Sequence, residues 1–308
     1  IMAEETKRFY YYANGVYLDS CMKFPELTPA YPSSEKTVVK IEFGQTPEKL
    51  ENLKAKGVRF QAAPNEFLLP IDDVATFWVK NGDHIIIQPE PRVNESEIRV
   101  FFLASAMGAL AHQRRQFPLH ASAIMYNGKA ILFSGDSGVG KSTLAGLFHK
   151  KGYQVITDDI SIIDKEKNTG QLLIEPGYIQ LKLWEDTMNS LHIGKKEGVL
   201  LRPGLKKYGY PISSIPKKPL EIQAIYALSV YPGKEILVRP LEGWEKFRHI
   251  KKRTFRQKLV DPMGYTEPHY RLLEDICQSL PAFQLQRPFE EGYTTFVEFV
   301  ENHFQTNQ

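Results

Sequence analysis

Residues 135–142 read Gly-Asp-Ser-Gly-Val-Gly-Lys-Ser, which fits the pattern G-x-x-x-x-G-K-[ST] at every fixed position. A short apolar run at residues 130–133 leads into this stretch, and residues 142–149 form a helical segment that Gly152 is placed to end. A strand, a glycine-rich loop and a helix in this order predict a loop that cradles phosphate groups. The alternative is a glycine-rich turn that binds nothing.

The chemistry of phosphate binding explains these residue types. Glycines let backbone N–H groups approach phosphate oxygens where a Cβ would block them, and the helix N-terminus favours an anion. We expect Lys141 to bridge the β- and γ-phosphates of a bound triphosphate and the Ser142 hydroxyl to ligate Mg²⁺. The predicted nucleotide-binding residues are Gly135, Asp136, Ser137, Gly138, Val139, Gly140, Lys141, Ser142 and Thr143.

A histidine lies upstream of the loop at a position that a hairpin would fix. Asn127-Gly128 separates two apolar runs, which is the signal of a two-residue type I′ turn. In that register His120 faces Gly135, so we expect His120 within about one residue of the phosphates. In the alternative, His120 only satisfies a backbone group at the edge of the sheet.

Two adjacent carboxylates, Asp158 and Asp159, are predicted to return to the loop. A helix at residues 142–151 carries the chain roughly 15 Å away, and a strand at residues 153–157 brings it back by a similar distance. Ligands gather at the carboxyl ends of strands in α/β sheets. One carboxylate would face Mg²⁺, directly or through water, and the other would accept the proton of an attacking hydroxyl. The alternative is a turn-forming pair that caps the next element.

The pattern of apolar residues divides the chain into two parts. Short aromatic and β-branched bursts between residues 9 and 91 predict strands and turns. Residues 94–97 have the form of a capping box, and a helix of about 20 residues follows until Pro118. Strands then alternate with helical segments. We predict an α/β fold, with a small, mostly β domain over residues 1–104 that is a candidate for substrate recognition. A domain over residues 105–308 follows, with a mostly parallel central sheet and helices.

Composition excludes several classes of protein. The net charge of +3 is too small to indicate a nucleic-acid partner. The longest apolar stretches, such as residues 100–110, are shorter than the roughly 20 residues of a membrane span. The chain has two cysteines, and its first residues contain no basic and then apolar signal region. We therefore expect a cytoplasmic protein without a membrane span.

Positive charge is concentrated late in the chain. Residues 1–101 contain 12 Lys and Arg against 15 Asp and Glu, whereas residues 202–256 contain 13 against 4. A basic side chain that reaches from a loop can neutralise charge on a transferred phosphoryl group, and the candidates are Lys206, Lys207 and Arg256. The segment could instead attract an acidic peptide or form a solvated basic face.

Residues 118–165 resemble the catalytic domain of HPr kinase/phosphorylase. The resemblance rests on His120, the fifteen-residue step to Gly135, the loop itself, and Asp158-Asp159 at 17 and 18 residues past Lys141. It implies a P-loop kinase domain of the HPr kinase type, which uses ATP and Mg²⁺ to phosphorylate a serine.

The same resemblance implies roles for single residues. Asp159 is the expected general base, and His120 assists at the γ-phosphate. We assign Asp158 to the metal together with Ser142. A further metal-binding glutamate is implied, for which Glu175 in Ile174-Glu175-Pro176-Gly177 is the candidate.

A narrower resemblance concerns the acceptor. After Glu175 the chain reads PGYIQLKLW rather than the glycine-rich phosphorylase signature, which argues against the reverse phosphorolysis reaction. Residues 11–27 resemble the start of the HPr-kinase-like enzymes encoded with lasso-peptide biosynthesis genes, which phosphorylate the C-terminal serine side chain of a precursor peptide. The resemblance therefore implies a precursor peptide ending in serine as partner, and it suggests a homo-oligomer.

Two alternatives stay open. Within the same chemistry, a carrier protein or a small hydroxylated metabolite could accept the phosphate. From a different class, the protein could be a nucleotide-dependent switch without any phosphoryl acceptor. Asp159 discriminates between these classes, because a kinase needs a base that faces a second substrate.

Overall fold

The first half of the chain forms one sheet. A computed structural model describes residues 7–32, 37–178, 180–190, 193–194, 198–201, 206–212, 215–289 and 292–306. Within them, this sheet has the strand order β3-β1-β2-β4-β9-β8-β7-β6-β5. Its strands are β1 (Phe9–Ala13), β2 (Val16–Ser20), β3 (Thr28–Pro29), β4 (Val38–Phe43), β5 (Ala55–Gly57), β6 (Phe60–Ala63), β7 (Glu66–Ile71), β8 (Ala75–Lys80) and β9 (His84–Pro89).

Alternating side chains give this sheet one buried face. In β8, Ala75, Phe77 and Val79 are buried while the residues between them are partly exposed. This period of two is the pattern of a strand with one face against a core. The buried face packs against the helical run that follows.

A continuous helical run links the two halves, as the sequence predicts. It comprises α1 (Glu95–Phe101), a π-helical turn (Phe102–Ala106) and α2 (Met107–Gln113). Asn94 caps it, because its Oδ1 accepts a hydrogen bond from the Ser96 N–H at 3.0 Å. Residues such as Ile98 and Phe102 pack into the core of the first sheet. The division after residue 104 falls inside this run and stays a prediction.

The second half contains two further sheets and the remaining helices. The strands are β10 (Phe117–Leu119), β11 (Ala121–Tyr126), β12 (Lys129–Gly135), β13 (Val155–Thr157), β14 (Ser161–Lys165), β15 (Leu172–Glu175), β16 (Gln180–Trp184), β17 (Val199–Leu200), β18 (Lys207–Pro211), β19 (Leu220–Tyr231), β20 (Leu237–Pro240) and β21 (Ala282–Pro288). The helices are α3 (Lys141–Lys150), α4 (Glu185–Ser190), α5 (Gly243–Lys252), α6 (Thr266–Ser279) and α7 (Tyr293–Thr306), with a 3₁₀ turn at Gln257–Leu259.

The larger of these sheets is mixed, which corrects the prediction of a mostly parallel one. Its main path is β10-β14-β15-β19-β12-β11-β13, and β21 pairs with β19 and β20. Among the described strands, β12–β19 and β19–β21 are parallel, and the other pairs are antiparallel. The short connections explain this result, since neither the β11–β12 turn nor the β14–β15 loop is long enough for a crossover.

Helices cover both faces of this sheet. Ile131 and Phe133 of β12 pack in one core with side chains of α3 and α7. Ala130 and Leu132, which point the other way, pack in a second core with side chains of α5 and α6. The α/β class predicted from the sequence agrees with this layered arrangement.

A small antiparallel sheet of order β16-β18-β17 lies against the first of these cores. Leu181 and Leu183 of β16 are buried there with residues of α3. Lys182 lies between these two leucines and therefore points to the opposite face of the small sheet. In the part of the chain that the structure describes, no helix combines the length and apolar character needed to cross a bilayer.

Candidate active site

The glycine-rich loop connects β12 to α3, as the sequence predicts. Gly138 and Gly140 have φ angles of +82° and +107°, which residues with a Cβ rarely adopt. At Gly135 a Cβ would lie 2.7 Å from the carbonyl oxygen of Leu228, so the neighbouring strand β19 also requires glycine there. The loop then turns directly into the N-terminus of α3 at Lys141.

A cleft opens in front of this loop, and it brings together most of the residues predicted from the sequence. Its walls include nine of them: His120, Ser137, Gly138, Gly140, Lys141, Ser142, Thr143, Asp159 and Lys207. The other loop positions support it from behind. The carbonyls of Gly135 and Asp136 accept hydrogen bonds from Lys141, and the Val139 side chain packs against the core.

The Lys141 ammonium folds back onto its own loop. Nζ donates to the carbonyl oxygens of Gly135 at 3.1 Å and Asp136 at 2.8 Å. Burial lowers the pKa of Lys141 to about 8, although the Asp159 and Asp158 carboxylates act in the opposite direction. A bound anion would favour the charged form of this lysine.

Asp158 is fully buried and faces the start of α3. Its Oδ1 accepts hydrogen bonds from the hydroxyls of Ser122 at 2.5 Å and Ser142 at 2.8 Å. Its Oδ2 accepts from the backbone N–H of Lys182 at 2.7 Å. Three donors therefore fix the orientation of this carboxylate.

Asp159 faces a different set of groups, as expected for adjacent residues. Its φ of +75° is left-handed, which aspartate tolerates better than most residues. Oδ2 accepts a hydrogen bond from Lys182 Nζ at 2.8 Å, and Oδ1 lies 3.6 Å from His120 Nδ1. Burial alone would raise the pKa of Asp159, but the ammonium groups of Lys182 and Lys207 hold it well below its usual range. The carboxylate is therefore ionised at neutral pH.

The hairpin delivers His120 to this cleft. Asn127 and Gly128 have φ angles of +49° and +78°, and the paired residues of β11 and β12 follow the predicted register as far as Ala121 opposite Ser134. His120 comes next, and its backbone N–H donates to the carbonyl of Arg253. The register prediction is confirmed.

The His120 ring combines the two alternatives that the sequence left open. Nδ1 lies 2.8 Å from the Asp159 carbonyl oxygen, which can only accept, so Nδ1 carries the proton. The ring thus satisfies a backbone group and also lines the cleft. Burial and the nearby Lys141 charge lower the pKa of His120, so Nε2 of the neutral ring is an acceptor.

Ser142, which lines the cleft, and the buried Asp158 are the residues that could hold a nucleotide-bound Mg²⁺. Their oxygens are 2.8 Å apart, and Mg²⁺ typically takes one or two carboxylates together with phosphate oxygens and water. Within the described residues, no group of three or more His, Cys, Asp or Glu side chains could hold a metal alone. A protein-only metal site is therefore not what these residues form.

Glu175 does not join this site, contrary to the prediction from the resemblance. It ends β15, and its Oε2 accepts a hydrogen bond from the Tyr12 hydroxyl at 3.0 Å. A Cβ on Gly15 would lie 2.9 Å from Glu175 Cγ, so the carboxyl group packs against the turn between β1 and β2. The short motif around Glu175 does not show this contact with Tyr12, which lies 163 residues away in the sequence.

Of the three basic candidates, Lys207 is the one that lies at the cleft. Lys207 lines the cleft, whereas the exposed Lys206 offers its carbonyl to the Glu185 N–H. Arg256 points away and donates to Ser105 Oγ at 2.7 Å, so we correct its predicted role at the phosphate. A different arginine, Arg253, reaches the loop through an ion pair with Asp136 at 2.5 Å.

Five residues of the cleft were missed by sequence reasoning: Lys182, Leu183, Trp184, Thr187 and Tyr293. Lys182 is 5% exposed and contacts both aspartates. The hydroxyls of Thr187 and Thr143 lie 3.1 Å apart. A lysine between Leu181 and Leu183 in an apolar strand was the available signal, because a buried lysine requires a charged partner.

Comparisons with known proteins do not decide these assignments, which rest on the geometry of the residues. No family model matches the chain, and no curated protein matches it significantly. Among solved structures, the chain is similar to the HPr(Ser) kinase/phosphatase from Coxiella burnetii, with 15% identity and a TM-score of 0.32 over 61% of this chain and 97% of that chain. A similarity this weak decides neither fold nor activity.

Proposed function

We propose that the protein is an ATP- and Mg²⁺-dependent kinase that transfers the γ-phosphate to a serine hydroxyl of a peptide. The observation that carries this proposal is the ionised Asp159 carboxylate, which lines the same cleft as Lys141 and the N-terminus of α3. A switch needs residues that position water and move with the γ-phosphate, whereas a kinase needs a carboxylate that faces a second substrate.

Asp159 would accept the hydrogen bond of the incoming serine hydroxyl and align its oxygen with the γ-phosphorus. The serine O–P bond forms as the bond between the γ-phosphorus and the β,γ-bridging oxygen breaks, and ADP leaves. Phosphoryl transfer has a loose transition state, so the hydroxyl proton moves late and a strong base is unnecessary. A carboxylate of low pKa suits this task because it is always ready to accept.

The remaining groups would hold and neutralise the phosphates. Lys141 would exchange its loop carbonyls for β- and γ-phosphate oxygens, and Lys207 offers a second positive charge in the cleft. Ser142 and Asp158 would hold Mg²⁺, which neutralises charge on the phosphates when it is bound. His120, neutral and fixed by its Nδ1–H, presents an acceptor at Nε2.

A peptide acceptor is favoured over a small metabolite by a groove beside the cleft. The two cavities share Lys182, and the groove has a mainly apolar lining that includes Pro25, Leu103 and Leu200. A chain that lies in an apolar groove could present a serine at the cleft. Because residues 11–27 resemble the lasso-peptide precursor kinases, we propose a precursor peptide ending in serine as the occupant of this groove.

The test is to incubate the protein with ATP and Mg²⁺ and offer three acceptors in parallel: peptides ending in serine, a carrier protein and small hydroxylated metabolites. Mass spectrometry identifies which acceptor gains one phosphate. We expect the serine peptides to be modified. Nucleotide binding without phosphate on any acceptor would favour the switch instead.

A further inference from the structure

One face of the small sheet forms the floor of the groove beside the cleft. Lys182 lies opposite Gly209, and Gly209 lies opposite Val199. Opposed residues of an antiparallel pair share a face, so these three residues form one row across the sheet. Gln180 and Pro211 pair in the same way two residues further along, and they form a second row on the same face. Both rows line the groove.

The same face continues in the other direction into the catalytic cleft. Trp184 pairs with Lys207 on the far side of Lys182, and this third row lines the cleft. Lys182 lines both cavities, and its ammonium donates to Asp159 Oδ2 at 2.8 Å. The groove is therefore continuous with the place where an acceptor serine would meet the Asp159 carboxylate.

The opposite wall of the groove comes from the first half of the chain and is apolar. Pro25 lies after β2, while Val100 and Leu103 belong to the helical run that begins with α1. Across from them, Val199 is 62% exposed. An apolar group placed between these residues would remove apolar surface from water on both sides, which is favourable.

The charged side chains that line the groove, among the described residues, already have partners. Arg99 Nε donates to Glu26 Oε1 at 3.0 Å, and both side chains are mostly buried. Lys182 is paired with Asp159. A charged group that entered the groove would lose water without gaining an unpaired countercharge. The groove therefore favours an apolar occupant over a charged one.

The spacing of the rows determines which residue of a peptide reaches the groove. Successive residues on one face of a strand lie roughly 7 Å apart, and an extended peptide advances roughly 3.3 Å per residue. The row of Gln180 and Pro211 lies one such step from Lys182. A peptide side chain at this row is therefore two or three residues away from a serine held at Asp159. In a peptide that ends in serine, this residue precedes the serine.

We propose that the groove binds an apolar side chain of the acceptor peptide, two or three residues before the phosphorylated serine. This contact determines which peptides are modified. The inference rests on the proposed transfer to a peptide serine, and it adds the position and the chemistry of a second residue that the enzyme recognises.

Peptides that end in alanine instead of serine test this contact without turnover. A single leucine is placed in turn at each position of an otherwise uncharged, glycine- and alanine-based peptide, and fluorescence anisotropy measures each Kd. Leucine two or three residues before the end should tighten binding roughly tenfold relative to alanine at that position. Aspartate at the same position should remove this gain.

Variants of the groove wall and floor should change this preference. Val100 is half-buried on α1, and in Val100→Trp the indole should fill the groove and remove the preference for leucine. Val199→Asp should shift the preference from leucine to lysine at the same peptide position. Because Val199 is largely exposed, this variant also serves if Val100→Trp does not fold.

The matched control is Val58→Asp. Val58 is fully exposed in the turn between β5 and β6 and lies outside the described lining of the groove. This variant should keep the wild-type preference, which separates an effect of the groove from that of any new surface charge.

Three results would overturn the proposal. The first is equal affinity for leucine at every position, and the second is a preference that both Val100→Trp and Val199→Asp retain. The third is a Val199→Asp variant that changes only the oligomeric state in size-exclusion chromatography, because the groove would then be a contact between copies of this chain.

Restoring the terminal serine separates this inference from the proposed function. Phosphate transfer that is equally fast for every leucine position would overturn the role of the groove and leave the kinase standing. A positional preference in binding, without transfer to any of the serine peptides, would support the groove as a peptide site and contradict the proposed function.

Discussion

The Lys141 ammonium is bound to carbonyls of its own loop, so a nucleotide has to replace those contacts with phosphate oxygens. The pKa of this lysine is lowered to about 8, and a bound polyanion favours its protonated form. Below that pH the lysine is already protonated, so its titration should not change nucleotide affinity. Above that pH the affinity should fall, with a limiting slope of about tenfold per pH unit. Calorimetric titration between about pH 7 and pH 9.5 checks this.

The control for this profile is Lys141→Ala, which should bind nucleotide weakly and show no inflection near the lysine pKa. Wild-type affinity that stays level up to the end of the alkaline range would contradict the assignment of Lys141 to the phosphates.

His120 links two groups of the cleft, because its ring donates to the Asp159 carbonyl while its Nε2 stays free of a proton. His120→Ala should lower kcat on the order of 10²-fold and leave nucleotide affinity largely intact. Single-turnover phosphotransfer beside a binding isotherm separates the two quantities. A variant with undiminished kcat would return His120 to a purely structural role.

At the scale of elements, the β11–β12 turn carries the register that places His120. Gly128 has a φ of +78° and open space around it, so an added Cβ meets only backbone strain. Gly128→Ala should reduce the free energy of unfolding by about 1–2 kcal/mol. Gly292 also has open space but no left-handed φ, so Gly292→Ala should be close to neutral in the same urea denaturation series. Equal stabilities for the two variants would argue against the type I′ turn.

The elements that the sequence predicts well are those specified by a few neighbouring residues. Asn127-Gly128 determines a turn, Asn94 caps a helix, and the loop glycines determine a backbone path, all without distant partners. The position of β13 at the far side of β11 depends on packing across the sheet, and no local pattern states it. The mostly parallel sheet was predicted wrongly because the short β11–β12 and β14–β15 connections make those pairs antiparallel.

The candidate site also contains residues that local sequence predicts and residues that only the folded structure brings in. The loop, His120 and both aspartates follow from spacing along one stretch of chain. Lys182 and Lys207 enter from a separate small sheet, whose pairing of Trp184 with Lys207 is visible only in three dimensions. Arg253 and Arg256 lie in one basic run, and only the structure shows that Arg253 meets Asp136 while Arg256 contacts Ser105.

At the scale of the whole molecule, Glu175 belongs to the contact between the two halves. Its carboxylate accepts from the Tyr12 hydroxyl, and next to it the Asn14 N–H donates to the Pro176 carbonyl at 2.7 Å. Glu175→Gln should therefore leave the Mg²⁺ concentration for half-maximal transfer nearly unchanged. Ser142→Ala should raise it by roughly tenfold or more, because that hydroxyl faces the Asp158 carboxylate. A Mg²⁺ requirement that rises in Glu175→Gln would restore the metal assignment.

The proposed role of Asp159 is to accept the serine proton when the ATP bound at the glycine-rich loop transfers its γ-phosphate. Asp159→Asn tests it most directly, because asparagine keeps the size and tolerates the left-handed backbone at this position. With γ-labelled ATP, Mg²⁺ and peptides ending in serine, the variant should bind nucleotide almost as the wild type does while transfer falls by roughly 10²- to 10⁴-fold. Labelled phosphate that reaches the peptide at the wild-type rate would contradict the account.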